Sequence, residues 1–159
     1  MGMIENDFKR WCREKWREER GGGRGWVGAH EYARGGDSGT PDTSFLNGFD
    51  LVPVELKTAT IANGQLHLDD VRPAQIQWHF LFNRAGGTSA FLVGVISADG
   101  KSWDPFIVHP SFIDSKNPKL NNTDTGPAIA LPNDDGFSAS LSNHLHEFRR
   151  LTLKRMFNS

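Results

Sequence analysis

Apolar residues near the start of the chain recur every three or four positions, which is typical of one buried face of a helix. This pattern predicts a helix over 4–20 that ends at the glycines of 21–25. The residues that form the apolar face are Ile4, Phe8, Trp11, Cys12 and Trp16. A second helix is predicted over 71–85, because Asp69 or Asp70 can cap it and Pro73 suits its first turn. A third is predicted over 138–157, with a cap at Ser138 or Ser140.

Shorter apolar segments between the helices predict strands. Two of them, 43–46 and 51–58, flank Asn47-Gly48, a dipeptide typical of a hairpin turn. Residues 90–97 are almost continuously apolar, as expected for a strand buried on both faces. Further strands are predicted over 26–34 and 105–109. The stretch 110–136 is rich in Asn, Asp, Pro and Gly and predicts a long surface loop.

The order of these elements predicts an α/β fold with a mixed central sheet and helices on its faces. A length of 159 residues predicts a single domain over 1–159. The absence of a long apolar run and of a signal-peptide pattern predicts a cytoplasmic protein that does not enter a membrane. The lone Cys12 excludes an intramolecular disulfide. Because the net charge is only −1, any nucleic-acid partner must bind to a local basic patch.

Acidic and basic residues interrupt an apolar strand at Glu55 and Lys57. Residues two apart on a strand project from the same face, and Leu56 between them points into the core. Buried charges cost several kcal/mol, on the order of 3–5, unless they are paired or hold a metal. The hairpin brings Asp42 beside this strand, so Asp42 and Glu55 together offer oxygen ligands suited to Mg²⁺ or Mn²⁺. The alternative is an ordinary ion pair of Lys57 with Asp42 or Glu55 at a solvated strand end.

Other polar residues have simpler interpretations. The histidines lack the spacing of a metal site, so we interpret them as structural or surface residues. Five of the six histidines are meant, His67, His79, His109, His144 and His146; the sixth is His30. Gln75 is either a site residue or a polar helix cap, and Arg34 and Arg72 are either phosphate contacts or solvated surface charges.

Taken in order, these residues resemble the PD-(D/E)xK nucleases, and more narrowly their VRR-NUC and Holliday-junction-resolvase-like branch, which includes small phage nucleases. The resemblance covers roughly residues 5 to 97, with a core at 4–97 and a C-terminal extension over 98–159. The matching segments are Ser38-Gly39-Thr40-Pro41-Asp42 (one residue shorter than the family's Ser-x-Gly-x-Pro-Asp), Glu55-Leu56-Lys57, Arg72-Pro73-Ala74-Gln75, Trp78, Gly86-Gly87 and 90–96. The resemblance implies an αβββαβ core like that of restriction endonucleases.

The resemblance also implies a Mg²⁺- or Mn²⁺-dependent endonuclease that hydrolyses DNA phosphodiester bonds, with selectivity for branched or flapped DNA as one option. Asp42 and Glu55 would hold the metal, Lys57 would orient water or stabilise charge on phosphorus, and Gln75 would order a water or contact phosphate. Arg34, Ser38 and Arg72 would contact the DNA backbone. A further metal ligand from the first helix is expected, with Glu5 preferred by position and Glu19 by angle.

Two other functions stay open at this point. One is a nucleic-acid-binding module without turnover, and the other is a phage host-interaction protein that reuses the fold. A homodimer is open as well, and a phage origin would place the protein in the host cytoplasm.

Overall fold

A computed structural model describes residues 2–19, 26–28, 40–41, 43–47, 50–114, 116, 119–121 and 127–158. Three α-helices lie within these ranges: α1 (Gly2–Glu19), α2 (Pro73–Arg84) and α3 (Phe137–Asn158). All three predicted helices are therefore confirmed, with ends that differ by one or two residues. None of the helices in these ranges is long and apolar enough to cross a membrane.

Eight strands form one mixed sheet in the described part of the chain. They are β1 (Trp26–Gly28), β2 (Thr43–Asn47), β3 (Asp50–Ala62), β4 (Gln65–Leu68), β5 (Ala90–Ile96), β6 (Trp103–Val108), β7 (Lys119–Asn121) and β8 (Ala128–Ala130). The main path through the sheet is β1-β2-β3-β5-β6-β8, and β4 and β7 extend from the second half of β3. β3 and β5 are parallel and joined through α2, while the other pairs are antiparallel.

This arrangement confirms the α/β class, the mixed sheet flanked by helices, and a closing loop and helix. Helix α1, the antiparallel β1-β2-β3 unit, α2 and β5 follow one another as the αβββαβ expectation specifies, with β4 inserted before α2. Of the predicted strand 26–34, only Trp26–Gly28 lies within the described residues.

Apolar side chains on the two faces of the sheet form two separate cores. Helices α1 and α3 cover one face, where Phe8 and Trp16 pack with Val54, Leu56 and β5 residues. A methyl group at Gly94 would lie only 2.4 Å from the Phe8 ring, so glycine is needed where α1 crosses β5. The other face packs against Ile76 of α2 and against Val71, just before that helix.

The C-terminal region is integrated into this architecture. Strands β6 and β8 extend the sheet beyond β5, and α3 contributes Phe137, Leu141, Leu145 and Phe148 to the core that α1 covers. Asn47, predicted as a turn residue, is the last residue of β2; its side chain accepts a hydrogen bond from the Ser142 hydroxyl at 2.6 Å. The α3 helix is therefore tied to the β2–β3 hairpin.

Three sequence predictions about local structure are wrong. The predicted loop over 110–136 contains a short 3-10 helix at Pro110–Phe112 as well as β7 and β8. These strands are only three residues long, which is too short for a periodicity to be visible in the sequence. The N-cap of α2 is Arg72, not Asp69 or Asp70. Ser138 lies inside α3, which starts at Phe137.

Candidate functional site

Glu55 and Lys57 lie side by side on β3, in the middle of the sheet. β3 is paired with β2 on one side and with β5 on the other, and Glu55 is level with Phe91 of β5. Only 6% of Glu55 and 3% of Lys57 are exposed. Leu56 between them belongs to the core on the α1 side, so the two charged side chains face α2, as the alternation along the strand predicts. The site is therefore not a solvated strand end, although the ion pair between Lys57 and Glu55 that this alternative expected is present.

Gln75 joins Glu55 from the first turn of α2. Its side-chain amide donates a hydrogen bond to Glu55 Oε1 at 2.9 Å, and it is 4% exposed. Its amide oxygen accepts a hydrogen bond from the Arg72 backbone N–H at 3.1 Å. Gln75 therefore acts both as a helix cap and as a hydrogen-bond partner of Glu55, and its part in a reaction stays a prediction.

Lys57 has two oxygen partners in this buried position. Its ammonium lies 3.5 Å from Glu55 Oε1 and donates a hydrogen bond to the Asp70 backbone carbonyl at 2.8 Å. The carbonyl is uncharged, so this second contact orients the ammonium without adding a negative charge. The site thus holds a carboxylate and an ammonium that are satisfied by named donors and acceptors.

Asp42 lies outside the described residues, but both of its neighbours in the chain are described. Pro41 and Thr43 are buried, and Thr43 opens β2 opposite Val54, the residue before Glu55. The chain therefore enters β2 next to the part of β3 that carries Glu55. The pairing of Thr43 with Val54 is the register expected if the hairpin brings Asp42 beside β3.

His79 is a buried structural histidine on the same helix as Gln75, which agrees with one of the two interpretations offered for the histidines. His79 is one helical turn after Gln75, is fully buried, and packs its ring on Phe91 at 4.7 Å. Its Nδ1 is 2.6 Å from the Ser89 hydroxyl, while its Nε2 has no hydrogen-bond partner among the described residues. Burial, with smaller contributions from His109 and Lys57, lowers the pKa of His79 to about 3. The signal that identifies it is the i, i+4 spacing from Gln75, which places both residues on one face of α2.

The other predicted site residues are placed differently or lie outside the described ranges. Arg72 is half-buried at the start of α2, near Gln75. Glu5 is half-buried in the first turn of α1, whose apolar side chains pack on the opposite face of the sheet from Glu55. Arg34 and Ser38 lie outside the described residues, as does the side chain of Glu19. Their roles stay predictions.

A divalent metal fits part of this donor set. Glu55 supplies a buried carboxylate, which is the type of ligand that Mg²⁺ and Mn²⁺ prefer. The Gln75 amide oxygen is already bonded to the Arg72 N–H, so Gln75 serves Glu55 rather than a metal. In the described ranges, no group of three or more His, Cys, Asp or Glu is placed to hold a metal, and a complete ligand set needs Asp42.

Comparisons with known proteins do not assign the chain. A scan against models of protein families finds no match. A search of curated proteins finds no significant relative.

Proposed function

We propose that this protein is a metal-dependent deoxyribonuclease of the PD-(D/E)xK type, an endonuclease that hydrolyses phosphodiester bonds in DNA. The observation that carries the proposal is the buried pair of Glu55 and Lys57, 3.5 Å apart on one face of a central strand. Burying a carboxylate and an ammonium costs free energy, so a contribution to stability does not by itself account for such a pair. Sites that stabilise charge in a transition state need such pre-positioned groups.

The proposed reaction gives a distinct role to each of four residues, Asp42, Glu55, Lys57 and Gln75. Glu55 and Asp42 hold the metal, and Gln75 fixes the carboxylate of Glu55 through its 2.9 Å hydrogen bond. The Lys57 ammonium orients the attacking water and stabilises the negative charge that develops on the phosphoryl oxygens. When bound, Mg²⁺ or Mn²⁺ lowers the pKa of water and neutralises the scissile phosphate.

DNA binding is a further part of the proposal. Arg72 at the start of α2 is close in sequence to Gln75, and we propose that it contacts the DNA backbone together with Arg34 and Ser38. Phosphate contacts of this type position a nuclease without reading sequence. We propose a cytoplasmic location, which is the host cytoplasm if a phage encodes the protein. Both a monomer and a homodimer are compatible with the proposal.

A cleavage assay tests the proposal directly. Purified protein is incubated with plasmid, linear duplex, single-stranded, flapped and four-way-junction DNA in Mg²⁺, in Mn²⁺ and in EDTA. The proposal expects cleavage of at least one substrate with either metal, and loss of cleavage in EDTA. Full activity in EDTA would reject the mechanism. Internal cuts in closed circular plasmid would identify an endonuclease.

Substitutions assign the activity to this site. Asp42→Asn, Glu55→Gln and Lys57→Ala are each expected to abolish cleavage, and the first two should also weaken metal binding. The matched controls are Glu147→Gln and Lys154→Ala, which change an exposed acid and an exposed base on α3. Near wild-type cleavage by Lys57→Ala would show that Glu55-Leu56-Lys57 is not the catalytic motif.

The main alternative is a DNA-binding protein with a nuclease-like core and no turnover. The complete set of Asp42, Glu55 and Lys57 argues against it. The two functions differ in one measurement: a silent binding protein shifts DNA in a gel in the presence of Mg²⁺ without producing nicked or linear plasmid. A host-interaction protein would do neither.

A further inference from the structure

The backbone at Asp70 has an unusual conformation next to the candidate site. Its φ is 55°, in the left-handed region that side chains other than glycine seldom adopt. The same residue presents its carbonyl oxygen to Lys57 Nζ at 2.8 Å. Its own side chain is exposed. The contact with the site is therefore made by the backbone and not by the carboxylate.

Neighbouring hydrogen bonds hold this turn in place. The Asp69 N–H donates to the Thr58 carbonyl at 2.9 Å, and the Thr58 hydroxyl donates to the Asp69 carboxylate at 3.1 Å. Thr58 is adjacent to Lys57 on β3, so the turn is fastened to the same strand that carries the ammonium. Backbone strain that persists because its surroundings fix it is concentrated at functional sites.

The type of atom that contacts Lys57 matters chemically. Glu55 already supplies one carboxylate to the ammonium, and a second carboxylate at this position would add further negative charge beside it. A carbonyl oxygen directs the ammonium without adding that charge, which would oppose an incoming phosphate. The turn also leads directly into α2, where Gln75 holds Glu55. The connection between β4 and α2 thus contacts Lys57, and the first turn of α2 contacts Glu55.

We propose that Asp70 is a positioning residue for Lys57, and that its left-handed backbone aims its carbonyl oxygen so that the ammonium stays beside Glu55. The proposal rests on the proposed nuclease function for its catalytic consequence. Its structural part, the restraint of Lys57, is independent of that function.

The test uses substitutions that change the backbone preference of this residue. Asp70→Asn removes the charge but keeps a residue that tolerates the left-handed region. Asp70→Val makes that region unfavourable, because a β-branched side chain clashes there. The matched control is Asn63→Val, since Asn63 also has a positive φ, 53°, at the β3–β4 turn. It introduces comparable strain in a turn that has no role at the site.

Two readouts are measured in the full-length variants. The first is kcat and KM for DNA cleavage, and the second is the rate at which an amine-reactive reagent labels Lys57, followed by mass spectrometry. Asp70→Val should lower kcat roughly tenfold with little change in KM and should speed up labelling. Asp70→Asn should retain both properties, and Asn63→Val should match the wild type in both.

Other outcomes reject the proposal. Equal losses in Asp70→Asn and Asp70→Val would show that the carboxylate acts, and equal effects of Asp70→Val and Asn63→Val would show a general effect of strain. If Asp70→Val does not fold, Thr58→Val replaces it, because it removes the hydroxyl that fastens the turn at nearly constant volume. Unchanged labelling of Lys57 in Thr58→Val would then overturn the proposal. If the wild type cleaves no DNA, the nuclease function fails, and labelling alone decides whether Asp70 positions Lys57.

Discussion

The ammonium of Lys57 lies 3.5 Å from the carboxylate of Glu55, and only 3% and 8% of their side chains are exposed to solvent. Removing two charges from water is costly, and their mutual attraction repays this only when further hydrogen bonds complete the arrangement. Gln75 and the Asp70 carbonyl supply those hydrogen bonds. The free energy of unfolding should therefore respond very differently to the loss of one charge and to the loss of both.

Replacing one member of the pair should destabilise the protein more than replacing both. Lys57→Met leaves the Glu55 carboxylate buried without its cation, and we expect it to cost about 3 kcal/mol of unfolding free energy. The double variant Glu55→Gln/Lys57→Met should be close to the wild type, since no charge stays buried. Urea unfolding of the wild type, both single variants and the double variant measures the coupling. Additive effects would show that the two side chains do not interact.

Metal identity should separate binding from catalysis. Mg²⁺ and Mn²⁺ should support cleavage, whereas Ca²⁺ should support DNA binding only, because it accepts looser coordination and activates water poorly. Gel shift and plasmid nicking at equal concentrations of the three ions measure the two steps. Rapid cleavage in Ca²⁺ would contradict the expected ligand set of Asp42 and Glu55.

His79 should make the fold sensitive to acid. Its pKa is about 3 in the folded protein, against an ordinary value of 6.5. Between these values the unfolded chain binds a proton that the native state does not, so stability falls as the pH decreases through this window. The slope should be about 1.4 kcal/mol per pH unit, and above pH 6.5 this group should have no effect.

Substitution of His79 checks this assignment. Unfolding free energies from pH 7 to pH 4 should decline less steeply in His79→Asn than in the wild type, because the variant lacks the titrating ring. The control is His146→Asn, which removes an exposed histidine on α3 and should leave the slope unchanged. An identical acid dependence in His79→Asn and the wild type would contradict the assignment.

The substitution Glu5→Gln tests whether Glu5 is a metal ligand or only a favourable charge at the end of a helix. If Glu5 is a ligand, the substitution should lower turnover at least roughly tenfold with a nearly unchanged melting temperature. If Glu5 is only a favourable charge at the start of α1, the substitution should lower the unfolding free energy by about 0.3–1 kcal/mol and leave turnover unchanged. Asp7→Asn is the matched control, since Asp7 is an exposed acid on the same helix. If Glu5→Gln changes only stability, α1 does not contribute a ligand to the metal site.

Local patterns in the sequence were sufficient for the main elements and for part of the site. The three helices and the strands β2, β3, β5 and β6 follow from apolar spacing and turn residues, because each reflects a short-range preference. The alternation along β3 also predicts that Glu55 and Lys57 share a face opposite Leu56, since strand periodicity depends only on neighbouring residues. The resemblance placed Gln75 among the site residues, but its hydrogen bond to Glu55 is seen only in the tertiary structure.

Contacts between residues distant in sequence were decided by the tertiary structure. The Asp70 carbonyl meets Lys57 because the left-handed turn after β4 folds back on β3, and no residue type marks a backbone oxygen as a partner. His79 becomes a buried neutral base only because α2 packs over Phe91. The strands β7 and β8 form because the sheet offers edges to pair with. Patterns in sequence report the preferences of neighbours, whereas burial and hydrogen-bond partners depend on which elements pack together.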